Sequence, residues 1–104
     1  HVQPTHYSTA KQVQSALSDK NKDRVVFLLF GADWCEPCIK VKRLLKQGSS
    51  FDKAMHLNAD ETWVFILSRR LGIEALPTLV IFKGGQPVDA IVDPNKIVMK
   101  LLIH

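Results

Sequence analysis

Val25-Val26-Phe27-Leu28-Leu29-Phe30-Gly31-Ala32-Asp33-Trp34-Cys35-Glu36-Pro37-Cys38 is the stretch that decides how this chain folds. From Arg24 to Phe30 it is β-branched and aromatic without alternation, which suits a central strand covered on both faces. Gly31-Ala32-Asp33 is a tight exit that delivers the chain to Cys35 and Cys38, its only two cysteines. From about Glu36 to Lys46, apolar Ile39, Val41, Leu44 and Leu45 interleave with Lys40, Lys42, Arg43 and Lys46 at helical spacing. A strand that ends on C-x-x-C and runs into a helix is the local setting of dithiol–disulfide chemistry.

Toward the N-terminus, Ser8 or Thr9 is a candidate cap for a helix bearing Ala10, Val13, Ala16 and Leu17. Residues 1–7 carry no strong pattern and are expected to be an edge strand or a loose arm. Asp19 to Asp23 is a polar break. Beyond the cysteine helix, Gly48-Ser49-Ser50 is the stop, as glycine past a helix end commonly is. Lys53 to Ala59 reads as a short strand with Met55 and Leu57 on one face. Asp60 and Thr62 are candidate caps for a helix to about Leu71. Its run Trp63-Val64-Phe65-Ile66-Leu67 is so apolar that it is expected to be well covered. Thr78 to Phe82 is a second apolar strand, Lys83-Gly84-Gly85-Gln86 a hairpin turn, and Val88 to Val92 the returning strand. Asp93-Pro94 opens a last helix with Ile97, Val98, Leu101 and Leu102 facing inward. Helix, strand, helix, strand, helix, strand, strand, helix predicts an α/β sandwich with a mixed sheet. The final hairpin is antiparallel, and strands flanking a helix can run parallel.

The 104 residues make one domain, with no repeats or linkers, and 46% hydrophobic content is ordinary for one real core. At this length a core forms without covalent staples, so the cysteines are not needed as a brace. Net charge is +4, but the fourteen cationic side chains are scattered rather than striped among stacking aromatics, so no nucleic-acid partner is expected. No apolar stretch approaches the roughly 18–20 residues of a membrane span. The chain starts at His1 without Met, and its first residues lack the zones of a signal peptide. The expectation is a trimmed chain, cytoplasmic by preference or extracytoplasmic after signal removal.

Val25 to Cys38, Leu57-Asn58-Ala59-Asp60, Leu76-Pro77-Thr78-Leu79-Val80-Ile81-Phe82 and Lys83-Gly84-Gly85 together resemble the thioredoxin-fold proteins. W-C-x-P-C after a buried strand, then L-P-T before an aliphatic run and K-x-G, is a specific combination covering most of residues 8–104. The resemblance implies a three-layer α/β/α sandwich with a mixed central sheet over residues 1–104. It implies a thiol–disulfide oxidoreductase that reduces protein disulfides with its own Cys35–Cys38 pair and no bound cofactor. Cys35 would be the exposed attacking thiol and Cys38 the deeper resolving one. Pro77 would be a cis proline beside them, Leu76 would offer its backbone to an extended substrate, and Trp34 would sit on the rim. Partners would be disulfide-containing proteins and an electron-donating reductase, with the chain a monomer.

The residues suit that chemistry. The thiolate is the nucleophile, and a helix N-terminus stabilises it through unpaired amides and the dipole. A dipole effect of about 0.3–2 kcal/mol moves a thiol pKa by a fraction of a unit to just above one. Pro37 is comfortable in the first turn because its missing N–H would have been unpaired anyway. Attack by Cys35 on a substrate disulfide would be followed by resolution from Cys38.

Several positions depart from the family pattern. The buried acid usual in the strand before the motif is Leu29 here, and its usual Lys partner is His56. That predicts slower resolution, or a proton relay through Asp33, Glu36 or His56. Arg43 stands where a proline usually kinks the helix, so a straighter or shorter helix is expected. Asp93 replaces a glycine that lines the substrate groove, which would favour cationic partners. Glu36 replaces a small residue and opposes Cys35 ionisation by roughly 1 kcal/mol if exposed. The couple then becomes more reducing by roughly 20–30 mV per kcal/mol. Glu-Pro between the cysteines also resembles extracytoplasmic reductases of cytochrome c maturation, whose larger central insertion is absent here.

Other readings stand beside these. A zinc site would need two further ligands, and His6, His56 and His104 share no ligand spacing, so no metal is expected. His56 reads more readily as a hydrogen-bonded strand residue than as a catalyst, and Asp33 and Glu36 also read as solubilising charges. The competing classes are a binding module using the groove around Trp34, Leu76 and Pro77 with inessential cysteines, and an extracytoplasmic disulfide reductase or isomerase.

Overall fold

Strand β1 (Val25–Gly31) occupies an interior position of a four-stranded sheet because both of its faces are apolar. A computed structural model describes residues 7–104. The element order is α1 (Ala10–Ser18), β1, α2 (Glu36–Gln47), β2 (Met55–Asn58), α3 (Thr62–Arg70), β3 (Thr78–Lys83), β4 (Gln86–Ile91) and α4 (Pro94–Ile103). The strand order is β2-β1-β3-β4. β1 runs parallel to β2, with Leu29 opposite His56, and antiparallel to β3, with Leu28 opposite Val80. β3 and β4 form the antiparallel hairpin, so the sheet is mixed as the sequence predicts. Gly84 and Gly85 take φ of 61° and 80° in its turn, where a Cβ would be strained.

Alternate residues of β1 feed two cores. Phe27 and Leu29 pack with Val41 and Leu45 of α2, Leu79 and Ile81 of β3, and Ile97 and Leu101 of α4. Val26, Leu28 and Phe30 pack with Val13 of α1, Val64 of α3 and Leu57 of β2. Helices α2 and α4 therefore cover one face and α1 and α3 the other, giving the three-layer α/β/α sandwich. The α1 start follows expectation. The Thr9 hydroxyl accepts from the Gln12 amide at 3.2 Å while the Gln12 side chain accepts from the Thr9 amide at 2.9 Å.

Three local expectations change. The strand expected from Lys53 begins at Met55, because Phe51–Lys53 close a 3₁₀ turn with Lys53 N–H donating to Ser50. Asp60 and Thr62 do not cap α3. Its N-cap is Glu61 without a side-chain bond, and the Asp60 carboxylate is engaged elsewhere. α3 is not well covered: Val64 and Ser68 are buried and Trp63 and Leu67 pack against the sheet core, which leaves Phe65 and Ile66 on the outer side at 54% and 46% exposure. Of residues 1–7, only Tyr7 lies within the described residues, in a parallel bridge to His56 at the β2 edge.

The α2 stop also works differently from the glycine rule. Gly48 has φ −91°, and Ser49 takes the left-handed position at φ 57°. Ser49 N–H donates to Lys46 O at 3.2 Å and Ser50 N–H to Leu45 O at 2.8 Å, a Schellman closure. A Cβ at Gly48 would press on the terminal methyl of the exposed Leu102 side chain, which would have to turn aside. Ser49→Gly is therefore expected to raise stability by about 1 kcal/mol, read as a higher urea midpoint. An unchanged or lower midpoint would show that Ser49 carries no backbone strain.

Candidate active site

β1 ends at Gly31, and α2 begins one short turn later with Cys35 as its N-cap. Cys35 N–H donates to Ala32 O at 3.2 Å, folding the turn that sets the cysteines against the strand end. The two cysteines are joined as a disulfide, with Cα atoms 5.2 Å apart. Cys35 Sγ accepts from the Cys38 amide at 3.3 Å, so the sulfur takes the place of an N-cap oxygen. On reduction a thiolate there keeps that amide and the positive end of the α2 dipole. Gly31 stands against the pair: a Cβ at Gly31 would lie 3.3 Å from Cys38 Sγ.

The attacking thiol expected at the surface is largely covered, since Cys35 is 6% exposed against 2% for Cys38. Both pack with Ala32 and Leu76. Leu76 O lies 3.8 Å from Cys35 Sγ, and the Leu76–Pro77 peptide is cis. Cys35 opens onto a groove of about 460 Å³ whose walls include Trp34, Asp60, Phe65, Ile73, Glu74 and Leu76. Trp34 is 68% exposed, but its indole is not loose: Nε1 donates to both Asp60 carboxylate oxygens at 3.1 Å. This bond explains why Asp60 is not available to cap α3.

A strand-end cysteine pair at disulfide separation, on a helix N-terminus and beside a cis proline, is matched by the profile of the Thioredoxin family over residues 4–102. The chain belongs to the thioredoxin family. A thioredoxin of Malassezia sympodialis is 33% identical over 87 residues, 79% of this chain and 83% of that protein. Thioredoxin-1 of Saccharomyces cerevisiae is 28% identical over 100 residues, 95% of this chain and 94% of that one. The crystal structure of the Malassezia sympodialis thioredoxin superposes with a TM-score of 0.66 at 28% identity, covering 98% and 96% of the two chains. Thioredoxins are protein-disulfide oxidoreductases, and this chain carries the pair that does that work, so it is a thiol–disulfide oxidoreductase. Thioredoxins use this disulfide in place of an external cofactor, and they act on disulfide substrates with reductase partners. Among the described residues no group of three or more His, Cys, Asp or Glu is placed to hold a metal. No described helix is long and apolar enough to cross a membrane.

The other sequence-predicted residues of this thioredoxin-family site scatter. Glu36 and Pro37 are exposed in the first turn of α2, and Pro37 occupies the tolerated position. Pro77 is buried. Asp93 is the N-cap of α4, where its Oδ1 accepts from the Asn95 and Lys96 amides at 2.9 and 3.4 Å. Its side chain is thus turned to its own helix. His56 is 2% exposed, stacks on Phe51 at 3.9 Å between centroids, and its Nε2 lies 2.8 Å from Phe51 O. None of these contacts reaches either sulfur. Leu29 is 3% exposed in the α2–α4 core, and α2 runs unbroken past Arg43.

Asp33 turns to a residue the sequence did not single out. Tyr7 donates its hydroxyl to Asp33 Oδ1 at 2.6 Å, and Lys42 Nζ lies 4.0 Å from the centre of the Tyr7 ring. No spacing rule flags Tyr7, which sits in a patternless stretch. Asp60, by contrast, lay within the segment that carries the family resemblance. Burial pushes the Tyr7 hydroxyl well above its ordinary value of 10.0, helped by the hydrogen bond to Asp33 and by the charges of Asp33 and Asp60. Burial lowers Lys42, partly offset by Asp33 and reinforced by Lys46.

The folded chain therefore keeps the Tyr7 proton after the unfolded chain has lost it. That contribution is complete below pH 10 and is lost as pH rises beyond it. Lys42 has the opposite sign, and stability rises with pH as the window below its ordinary 10.5 is crossed. Tyr7→Phe keeps the ring under Lys42 and deletes only the hydroxyl. It is expected to cost about 1 kcal/mol at pH 8 and to remove part of the decline seen above pH 10. Urea midpoints of both proteins at pH 8 and 11 check this; parallel pH profiles would refute it.

Proposed function

We propose that this chain reduces protein disulfides, with Cys35 as the attacking sulfur and Cys38 as the resolving one. The observation that carries the assignment is the asymmetry of the pair. Cys35 caps α2, accepts the Cys38 amide and borders the groove, whereas Cys38 lies beneath it against Gly31. In the reduced protein the Cys35 thiolate attacks one sulfur of a substrate disulfide. A Cys35–substrate bond forms and the first substrate thiolate leaves. Cys38, as thiolate, then attacks Cys35 Sγ and releases the second substrate thiolate, which leaves the Cys35–Cys38 disulfide. Two electrons pass to the substrate, and an electron-donating reductase restores the dithiol.

Trp34, Leu76 and Pro77 bind the substrate segment in this reading, with Leu76 offering its backbone beside Cys35. Glu36 and Pro37 are exposed between the two cysteines, and Glu36, by opposing ionisation of Cys35, makes the couple more reducing. Asp33 and Glu36, which flank Trp34 and Cys35 in the sequence, are the proposed relay groups, while the His56 ring that the sequence also offered is held by Phe51. Asp93 acts through its capping of α4 rather than through the groove. Residues 1–104 form one domain that works as a monomer. The cytoplasm is the proposed compartment, since a dithiol reductant persists in a reducing milieu.

The test is reduction of an insulin-type disulfide protein with dithiothreitol as donor. Catalysis by the native chain and none by Cys35→Ser is the expected result. Equal rates for the two would transfer the role to the binding-module class.

A further inference from the structure

The groove beside Cys35 combines apolar walls with one sign of charge. Trp34, Phe65, Ile73 and Leu76 supply the walls, and Trp34 and Phe65 are 68% and 54% exposed. Its two charged lining residues are both carboxylates, Asp60 and Glu74. Asp60 holds the Trp34 indole through both of its carboxylate oxygens. Across the motif turn the balance reverses: the neighbouring depression is lined by Lys42, Arg43 and Lys46 with Asp33 as its one acid. The chain as a whole carries +4. The residues that line the groove thus carry charge opposite to the protein's net charge, and Arg69 flanks the Phe65 wall with its guanidinium 6.0 Å from the ring centre.

We propose that the groove selects disulfides whose cysteine is flanked by an apolar side chain and a nearby Lys or Arg. This rests on the reading of Cys35 as the attacking sulfur and deepens it to a substrate class. The apolar neighbour is covered by Phe65, Ile73 and the pinned Trp34, and the cation meets Glu74 and the outer edge of Asp60. Distance decides between the groove and the net charge. At physiological ionic strength the screening length is about 8 Å, so scattered lysines are damped while carboxylates in contact with the segment are not. Asp93, the position first suggesting cationic partners, is not needed, since its carboxylate serves α4.

The test uses three peptides of pattern X-Leu-Cys-Leu-X, each a disulfide-linked homodimer, with X as Lys, Gln or Glu on both sides of the cysteine. At 0.15 M salt the Lys peptide is expected to be reduced about five-fold faster than the Glu peptide, with Gln between. Glu74→Lys is expected to bring that ratio to about one or below. The position is exposed, so folding is not at stake. Equal rates, a faster Glu peptide, or a ratio unmoved by Glu74→Lys each overturn the charge preference alone. Failure of all three peptides to react overturns the assignment of Cys35 and the preference with it.

Discussion

A Cys38→Ser chain, reduced and mixed with a disulfide protein, is expected to stall as a covalent adduct through Cys35. Attack needs only the Cys35 thiolate, whose amide partner and helix N-terminus survive the substitution. Resolution needs a second sulfur within bonding reach, and a serine hydroxyl cannot displace a thiolate from a disulfide. The adduct should appear on a non-reducing gel and vanish with dithiothreitol. Steady-state turnover should fall by three or more orders of magnitude, on the scale of deleting one member of a catalytic unit. The buried sulfur at 2% exposure makes the reverse assignment testable in the same experiment. If Cys35→Ser traps substrate and Cys38→Ser does not, the roles are exchanged.

Leu29→Asp, which restores the acid usual at this place in the family, is expected to destabilise the fold by roughly 3–5 kcal/mol at pH 7. Leu29 is 3% exposed among Phe27, Val41, Leu45 and Leu79, so the substitution removes a packed side chain and puts a carboxylate into hydrocarbon. Its register partner on β2 is His56, whose ring is already stacked and bonded to Phe51. Against a total of about 5–15 kcal/mol for a domain of this kind, the loss is a large fraction. Burial raises the carboxyl pKa in the folded state, so the folded chain binds the extra proton and the penalty shrinks as pH falls through that value. Urea titrations at pH 7 and pH 5 check both size and sign. A loss below about 1 kcal/mol would mean that the site retains a polar pocket for the missing acid.

These two predictions draw on different kinds of legibility. The cysteine pair, the strand before it and the helix after it were plain in the sequence, because each depends on residues within one element. The same holds for the alternate faces of β1, which the unbroken apolar run signals. The α2 stop was half legible: the chain does reverse at residues 48–50, but the left-handed residue is Ser49, and Gly48 faces the Leu102 side chain of α4. Asp93 was legible as a helix start, and the structure adds that its Oδ1 meets the Asn95 and Lys96 amides. The apolar run of α3 misled. An apolar run predicts burial only if a neighbour exists for every face, and Phe65 has the groove instead of a core.

By itself the sequence determined the class of fold, the order of its elements, the position of the redox pair and the absence of the family acid at Leu29. Periodicity and spacing carry that information because they describe which face of one element is apolar. The family resemblance in the sequence already implied that Leu76 and Pro77 lie beside the cysteines, and the structure sets Leu76 O 3.8 Å from Cys35 Sγ; the tertiary structure alone decided that Asp60 holds Trp34 across 26 positions and that Tyr7 holds Asp33 across 26. Those meetings follow from strand order and register, with β3 and β2 both laid against β1. Order and register are settled by packing of two cores at once, a cooperative choice that no single stretch of residues encodes.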